Sequence, residues 1–338
     1  PDRVTCSEKV MDMNETAIKV LKILEESPGP ISGEQIAEQL GISRSAVWKQ
    51  IRELRRLGYR ISSSRTEGYR LEARTDRLLP YELNKKLRTK VIGRQIRHFE
   101  RTASTGWVAK RLVTETDPEK LHGMVIIAEE QTGGVGRLGR AWVSPPGGIW
   151  ATIILRPKIP LDHLFMITMA GSIAIARAIR KEYDLSALIK WPNDIFIGDR
   201  KVAGLLLEIS AEADTVHYAL LGIGIDANVS PDELPSPLRE TVTTLATEVG
   251  HPVDRVSLFA RVLREFELRY QQLEDGEYES IIREWKSLSL TLDRRVAIRT
   301  VNKTFSGEAI DIDEHGALLI RKDNGKIERV IAGDCFQI

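Results

Sequence analysis

The stretch Lys190-Trp191-Pro192-Asn193-Asp194-Ile195-Phe196-Ile197-Gly198-Asp199-Arg200-Lys201-Val202-Ala203-Gly204 decides how the middle of this 338-residue chain is read. Apolar runs flank Gly198-Asp199, the signature of a two-residue hairpin loop. With that loop, Ile197 faces Arg200 and Phe196 faces Lys201. Side chains alternate along a strand, so Asp194 shares the face of Phe196 and becomes a diagonal neighbour of Lys201. An ammonium and a carboxylate on one face suit activation of a carboxylic acid by a nucleotide. The lysine would stabilise charge developing on an α-phosphate, and Asp194 could help hold Mg2+ or a ribose. The competing reading is a surface ion pair on a hairpin, worth roughly 0–1 kcal/mol.

Outward from the hairpin, short apolar runs at 124–130, 150–156, 188–197, 202–210 and 217–225 read as strands, interrupted by one long apolar helix at about 163–183. Strands so close together are joined by turns, which predicts a mixed or mostly antiparallel sheet with helices on one face. Helices follow at about 254–274 and 278–287. From about residue 291 the pattern alternates again, with turns at His315-Gly316 and Asn324-Gly325, as in a small β-barrel-like terminal domain. No stretch approaches the roughly 18 uninterrupted apolar residues of a membrane span. The charged first twenty residues do not read as a signal peptide, so a cytoplasmic protein with no membrane partner is expected. Two cysteines, Cys6 and Cys335, exclude a disulfide scaffold and a cysteine-clustered zinc site.

Upstream, residues 16–25 place Ile18, Leu21 and Leu24 at helical spacing, and Ser27-Pro28-Gly29-Pro30 ends that helix. Ser32 with Gln35 reads as a capping box opening a second helix that stops at Gly41. Ser43 can cap a third, with Ala46, Val47, Ile51, Leu54 and Leu57 on one side and Gly58 as its stop. Two β-like runs around a polar turn complete a winged helix-turn-helix, whose third helix would enter a DNA major groove.

The formal net charge of +1 hides where the charges sit. From Ser43 to Arg70 eight basic residues stand against Glu53 and Glu67, a local +6 in a chain whose remainder is −5. Phosphate binding needs such an excess, because each neutralised phosphate releases counterions. Ser43, Arg44, Ser45, Lys49 and Arg52 on the third helix and Arg65 in the wing are the candidate DNA contacts. A winged helix used for protein contacts or for stability alone is the competing reading.

Gly133-Gly134-Val135-Gly136-Arg137-Leu138-Gly139-Arg140 contains a formal GxGxxG, but it runs into a Pro-Pro-Gly-Gly turn and a strand instead of opening a helix. It is therefore neither a dinucleotide fingerprint nor a Walker A loop. It can still cradle an anion with backbone N–H groups, helped by Arg137 and Arg140; a basic surface loop is the alternative. Trp142 and Trp191 read first as packing residues, though either could wall an apolar slot.

At these residues the chain resembles the bacterial biotin–protein ligases. Residues 132–142, the KWPND…RKVAG hairpin and Gly222-Ile223-Gly224-Ile225 carry the resemblance. With the N-terminal winged helix and the C-terminal β region, it is similar to the bifunctional type that joins ligase and biotin-operon repressor. The resemblance implies an α+β multidomain chain: a winged helix-turn-helix at 14–74, a class II synthetase-like catalytic domain at 75–288 and an SH3-like β domain at 289–338. It implies ATP, biotin and Mg2+, with biotinyl-5′-AMP formed first and biotin then passed to a lysine of a biotin carboxyl carrier protein. The adenylate would act as corepressor, favouring a homodimer on operator DNA.

By position, the resemblance assigns Lys201, Arg137 and Asp194 to the chemistry, with Asp194 also holding Mg2+. Biotin falls to Ser104, Thr105, Gly106, Gln131, Gly134, Gly136, Arg137, Lys201 and Gly204. The nucleotide falls to Arg137, Arg140, Trp142, Asn193, Lys201 and Asp226. Four positions depart from the family pattern: Gly106 and Asp226 replace asparagines, Val135 an arginine, and Leu138 a position that is often basic. Two further readings stay beside this one, a DNA-binding ligand sensor with weak or no ligase activity and a lipoate-type acyl-adenylating ligase.

Overall fold

The computed structural model describes residues 11–212, 215–300 and 303–338. Met11–Lys85 form one compact unit, and Lys86–Ile338 belong to a second. Cys6 lies outside the described residues. Cys335 is a buried free thiol whose ionisation burial pushes up to about 11.

In the first unit, α1 (Glu15–Glu26), α2 (Gly33–Leu40) and α3 (Arg44–Arg56) precede the hairpin β1 (Arg60–Ser64) and β2 (Gly68–Ala73), and α4 (Pro80–Lys86) follows. The capping box at Ser32 and Gln35 is formed, and Gly41 ends α2 in the left-handed conformation. Ser43 Oγ accepts the Ala46 N–H and caps α3. Val47, Ile51, Leu54 and Leu57 are buried as their spacing predicts, but Gln50 joins the buried face and Ala46 is half-buried. The amide of Asn14, which caps α1, reaches the Gln50 side-chain oxygen at 3.2 Å and satisfies it.

The second unit contains β3 (Ile96–Thr102), α5 (Thr105–Glu115), β4 (Val125–Gln131), β5 (Ile149–Leu155), α6 (Met166–Tyr183), β6 (Ala187–Lys190), β7 (Asp194–Ile197), β8 (Arg200–Glu212) and β9 (Thr215–Ile225). The helices α7 (Ser236–Arg239), α8 (Leu245–Val249), α9 (Arg255–Glu274) and α10 (Tyr278–Ser287) follow. The strands make one sheet in the order β3-β4-β5-β9-β8-β7-β6. Only β3 and β4 run parallel in it, so the sheet is mixed. Strands β10 (Arg294–Arg299), β11 (Thr304–Ile312), β12 (Leu318–Arg321), β13 (Ile327–Val330) and β14 (Asp334–Gln337) form a separate antiparallel sheet.

Two expectations need correction. Residues 188–197 are two strands, with the Trp191-Pro192 turn between β6 and β7. Helices also cover both faces of the large sheet. A methyl on Gly171 of α6 would strike Leu205 and Leu221 at 2.6 and 3.2 Å, so α6 packs on that face. Val108, Ala109 and Leu112 of α5 pack with Ala128, Ile154 and Leu220. Leu220 and Leu221 are adjacent in β9 and point to opposite faces. The segment Leu161–Tyr183 is long and apolar enough to cross a membrane, but 78% of its apolar window is buried inside this unit.

Candidate active site

The α5 face of the sheet is built differently at its two ends. Toward α5 it carries Ile154 and Leu220 and is filled. Toward β8 the same face presents Gly204, Gly222 and Gly224, opposite one another across β8 and β9 or paired with β5. Missing side chains there leave a trench, and it opens into a cavity of ≈ 570 Å3. That size suits a small-molecule substrate or cofactor. The alternation of Gly and Ile over residues 222–225 sends every isoleucine to the core face and every glycine to the trench. A methyl on Gly224 would lie 2.8 Å from the Trp142 indole, so glycine is required for the indole to lie against the strand.

Lys201 projects into this trench. The register predicted for the hairpin is found, with Phe196 opposite Lys201 and Ile197 opposite Arg200. A bulge between Ile195 and Phe196 then places Asp194 opposite Gly204. Gly204 is the gap through which Asp194 Oδ1 and Lys201 Nζ meet at 2.6 Å, since a methyl there would come within 3.1 Å of both. The lysine's backbone is pinned by residues 241–243, its N–H donating to the Thr241 carbonyl and its carbonyl accepting from Thr243. Its ammonium also lies 4.7 Å from the centre of the Trp142 ring, within cation–π range.

The glycine loop closes over the cavity as a short hairpin. Val135 bridges Ala141, and Gly136 N–H donates to the Arg140 carbonyl. Leu138 takes the left-handed conformation at φ 57° and stands exposed. Arg137 donates to Asn193 Oδ1 at 3.2 Å and to the Gly333 carbonyl at 3.1 Å, joining the loop to the KWPND turn and to the C-terminal sheet. Burial makes its charged form less favourable, and Asp334 and Asp194 oppose that. Arg140 pairs with the Asp334 carboxylate, which holds the guanidinium's proton more tightly and keeps Asp334 below the usual carboxylate range. Asn193 is itself fixed, donating its amide to the Leu205 carbonyl.

At the other end of the trench, Gln131 organises the first turn of α5. Its side-chain oxygen accepts from Thr105 N at 2.8 Å and Thr105 Oγ1 at 3.0 Å, and its amide donates to Ser144 Oγ at 2.9 Å. Thr105 Oγ1 also meets Thr152 Oγ1 at 2.9 Å. Ser104 precedes the helix without capping it through its side chain. Asp226 lies at the far wall, and burial pushes its carboxyl up to about 7 against the pull of Lys201.

Nearly every residue predicted for this site lines the one cavity: Ser104, Thr105, Gly106, Gln131, Gly136, Arg137, Arg140, Trp142, Asn193, Asp194, Lys201, Gly204 and Asp226. Gly134 does not. It is buried behind the loop, where a methyl would sit 2.4 Å from the Trp142 carbonyl, so it shapes the hairpin. Of the two tryptophans, Trp142 lines the cavity while Trp191 is buried and donates to the Gly316 carbonyl at 3.2 Å. Sequence reasoning missed Trp107, Glu208, Gly222, Asp334 and Phe336 as lining residues. The Gly-Ile alternation could have revealed Gly222; nothing local marks Asp334 or Phe336.

In the first unit, Ser43, Arg44, Ser45, Lys49, Arg52 and Arg65 are all exposed. Arg52 stacks at 4.7 Å on the exposed ring of Trp48, and Arg65 lies in the turn between β1 and β2. Ser43 is engaged as the cap of α3 and also meets Ser45 Oγ at 2.9 Å.

Comparison with known proteins agrees with this geometry. Residues 99–226 match the model of the Biotin/lipoate A/B protein ligase family, residues 16–70 an HTH domain, and residues 291–336 the Biotin protein ligase C terminal domain. The bifunctional ligase/repressor BirA of Bacillus subtilis is 36% identical over 305 residues, covering 90% of this chain and 93% of that protein. Its namesake in Escherichia coli is 29% identical over 295 residues, covering 86% and 88%. The solved biotin protein ligase of Aquifex aeolicus, in complex with biotin and ATP, superposes with a TM-score of 0.63 at 25% identity, over 72% of this chain and 99% of that one. The trench, the glycine loop and the DNA-binding arm are thus found together in one order along one chain, and this chain belongs to the bifunctional ligase/repressor family of biotin–protein ligases.

Proposed function

We propose that the trench over β8 and β9 activates biotin as biotinyl-5′-AMP and passes it to a lysine of a biotin carboxyl carrier protein. The observation that carries this reading is Lys201, held at 2.6 Å from Asp194 beside Gly204, where a methyl would come within 3.1 Å of both groups. A biotin carboxylate oxygen attacks the α-phosphorus, the bond to the β-phosphate oxygen breaks, and pyrophosphate leaves with the electron pair. Lys201 faces both reacting anions and needs no reorganisation to stabilise the charge that develops between them. Arg137 and Arg140 meet the nucleotide's phosphates from the loop, and Trp142 walls the nucleotide's side of the trench. The buried Nε1 of Trp142 lacks a hydrogen-bond partner among the described residues, a donor that a bound ligand can satisfy. In the second step a lysine amine of the carrier attacks the acyl carbon and AMP departs.

The donor set fits Mg2+ when phosphates are present. Asp194 is a single carboxylate at the cavity wall, and that ion is commonly held by one or two carboxylates, substrate phosphates and water. Bound there, the ion would supply charge neutralisation at the phosphates.

We further propose that the first unit reads operator DNA, with α3 in the major groove and Arg65 of the wing on a phosphate. Binding would be tighter for a homodimer formed with the adenylate, whose two recognition helices match a palindrome. ATP and operator place both activities in the cytoplasm. The test of the ligase reading is biotin-dependent exchange of pyrophosphate into ATP, which should collapse in Lys201→Ala; unchanged exchange in that variant would remove the lysine from its role. Exchange driven by lipoate in preference to biotin would favour the lipoate-type reading instead.

A further inference from the structure

Outside the trench, two turns of the second unit bring together three donors that the ligase chemistry does not use. Asp162 and His163 lie in the short 3-10 turn Leu161–His163 that follows β5. His315 lies in the turn between β11 and β12. One donor atom from each residue falls within 4.8 Å of the other two. Asp162 Oδ1 meets His163 Nδ1 at 2.7 Å, while Asp162 Oδ2 stands 4.0 Å from His315 Nδ1. His315 Nδ1 is buried with no hydrogen-bond partner among the described residues. Glu314 Oε1 stands 3.8 Å from His315 Nε2.

The two rings are held in place. His163 stacks on Tyr278 with ring centres 4.1 Å apart, and His315 meets His163 edge-on at 4.7 Å. The turn carrying His315 is seated on α6, because a methyl on Gly316 would lie 2.6 Å from Met169 Sδ and 2.9 Å from Phe165. The Asp162 side chain, 61% exposed, has the most room to adjust. Tetrahedral coordination at bond lengths of about 2.0–2.2 Å puts neighbouring donors about 3.3 Å apart, so torsional movement of roughly 1–2 Å closes the cluster.

We propose that Asp162, His163 and His315 bind one divalent transition-metal ion of the Zn2+ class, which clips the C-terminal sheet to the loop after β5. Two borderline imidazoles with one carboxylate suit Zn2+, whereas Mg2+ and Ca2+ take all-oxygen sets. Water completes the fourth position on the exposed side of Asp162.

Full-length protein freed of metal by chelation and dialysis should bind one equivalent of Zn2+ at micromolar concentration. His315→Gln and Asp162→Asn should each weaken that binding by about tenfold or more, while His251→Gln, at an exposed histidine elsewhere, should not. Co2+ used as a probe should give visible d–d bands that Zn2+ displaces. Zn2+ should also raise the melting temperature of wild type but not of His315→Gln. Equal Zn2+ affinity in wild type, His315→Gln and Asp162→Asn would overturn the site, as would the absence of bound Zn2+ in wild type. Pyrophosphate exchange measured on each variant establishes that it is folded.

Discussion

In the helix-turn-helix unit Arg44, Lys49, Arg52 and Arg65 stand exposed, while in the ligase body Lys201, Arg137 and Arg140 are each already matched to an acid or a carbonyl. On the proposed function, the same residue types serve two kinds of anion recognition. Exposed cations meet a phosphate surface that stays wet, so their contribution comes from counterion release and falls with salt. Half-buried Lys201 and Arg137 have given up part of their hydration before the ligand arrives, whereas Arg140 stays exposed and is paired with Asp334. Their partners Asp194, Asn193, Gly333 and Asp334 hold them at the cavity, where the proposed chemistry would develop charge. Preorganisation is the difference, and each region's cations can be perturbed without touching the other's.

The largest effect is expected from Arg137→Ala, which removes the loop's bonds to Asn193 and to the Gly333 carbonyl. Pyrophosphate exchange should fall about 10²–10³-fold, or roughly 3–4 kcal/mol, as for loss of a preorganised donor. DNA binding without ligands should be unchanged in the same variant, and a parallel loss there would break the comparison. In the other direction, Arg44→Ala and Lys49→Ala should each cost about 1–3 kcal/mol of operator affinity in gel shifts and leave exchange intact. A variant that loses a phosphate contact should also show a salt slope shallower by about 1.

A smaller effect is expected at Asp226, whose carboxyl burial pushes from 3.8 up to about 7. The unfolded chain releases this proton near pH 4 and the folded chain near pH 7. The folded state thus binds more protons in that window, so this group's contribution makes stability fall as pH rises through it and level off above. Asp226→Asn should remove that slope and raise stability at about pH 8 by roughly 1–2 kcal/mol in urea unfolding. No change in the pH profile would place the carboxyl in a wetter setting than the structure gives it. The smallest effect belongs to Asp334→Asn. Its partner Arg140 is 60% exposed, so the pair should contribute under about 1 kcal/mol to stability.

Local chemistry made the DNA-binding arm legible. The Ser32–Gln35 box, Gly41 and the Ser43 cap are all short-range signals, and each is formed as its residues predict. The 190–204 hairpin was legible for the same reason, since Gly198-Asp199 fixes the register and with it the face shared by Asp194 and Lys201. The bulge beside Ile195 was not, because an extra residue in a strand leaves no mark on apolar alternation. Helix α5 was overlooked although Val108, Ala109, Leu112 and Val113 are spaced for one face. Its start lacks a formed side-chain cap, and Gly106 with its β-branched neighbours lowers helix propensity. The contacts of Arg137 and Arg140 with Gly333 and Asp334 span nearly 200 residues, and only the fold brings those segments together.

On the proposed function, the trench transfers biotin and does not only sense it. Mass spectrometry of a biotin carrier domain incubated with this protein, biotin and MgATP tests it most directly. A mass gain of one biotin acyl group on a single lysine is expected, absent without ATP and absent with Lys201→Ala. An unmodified carrier, with biotin and ATP still tightening operator binding, would contradict it and leave a ligand-sensing repressor.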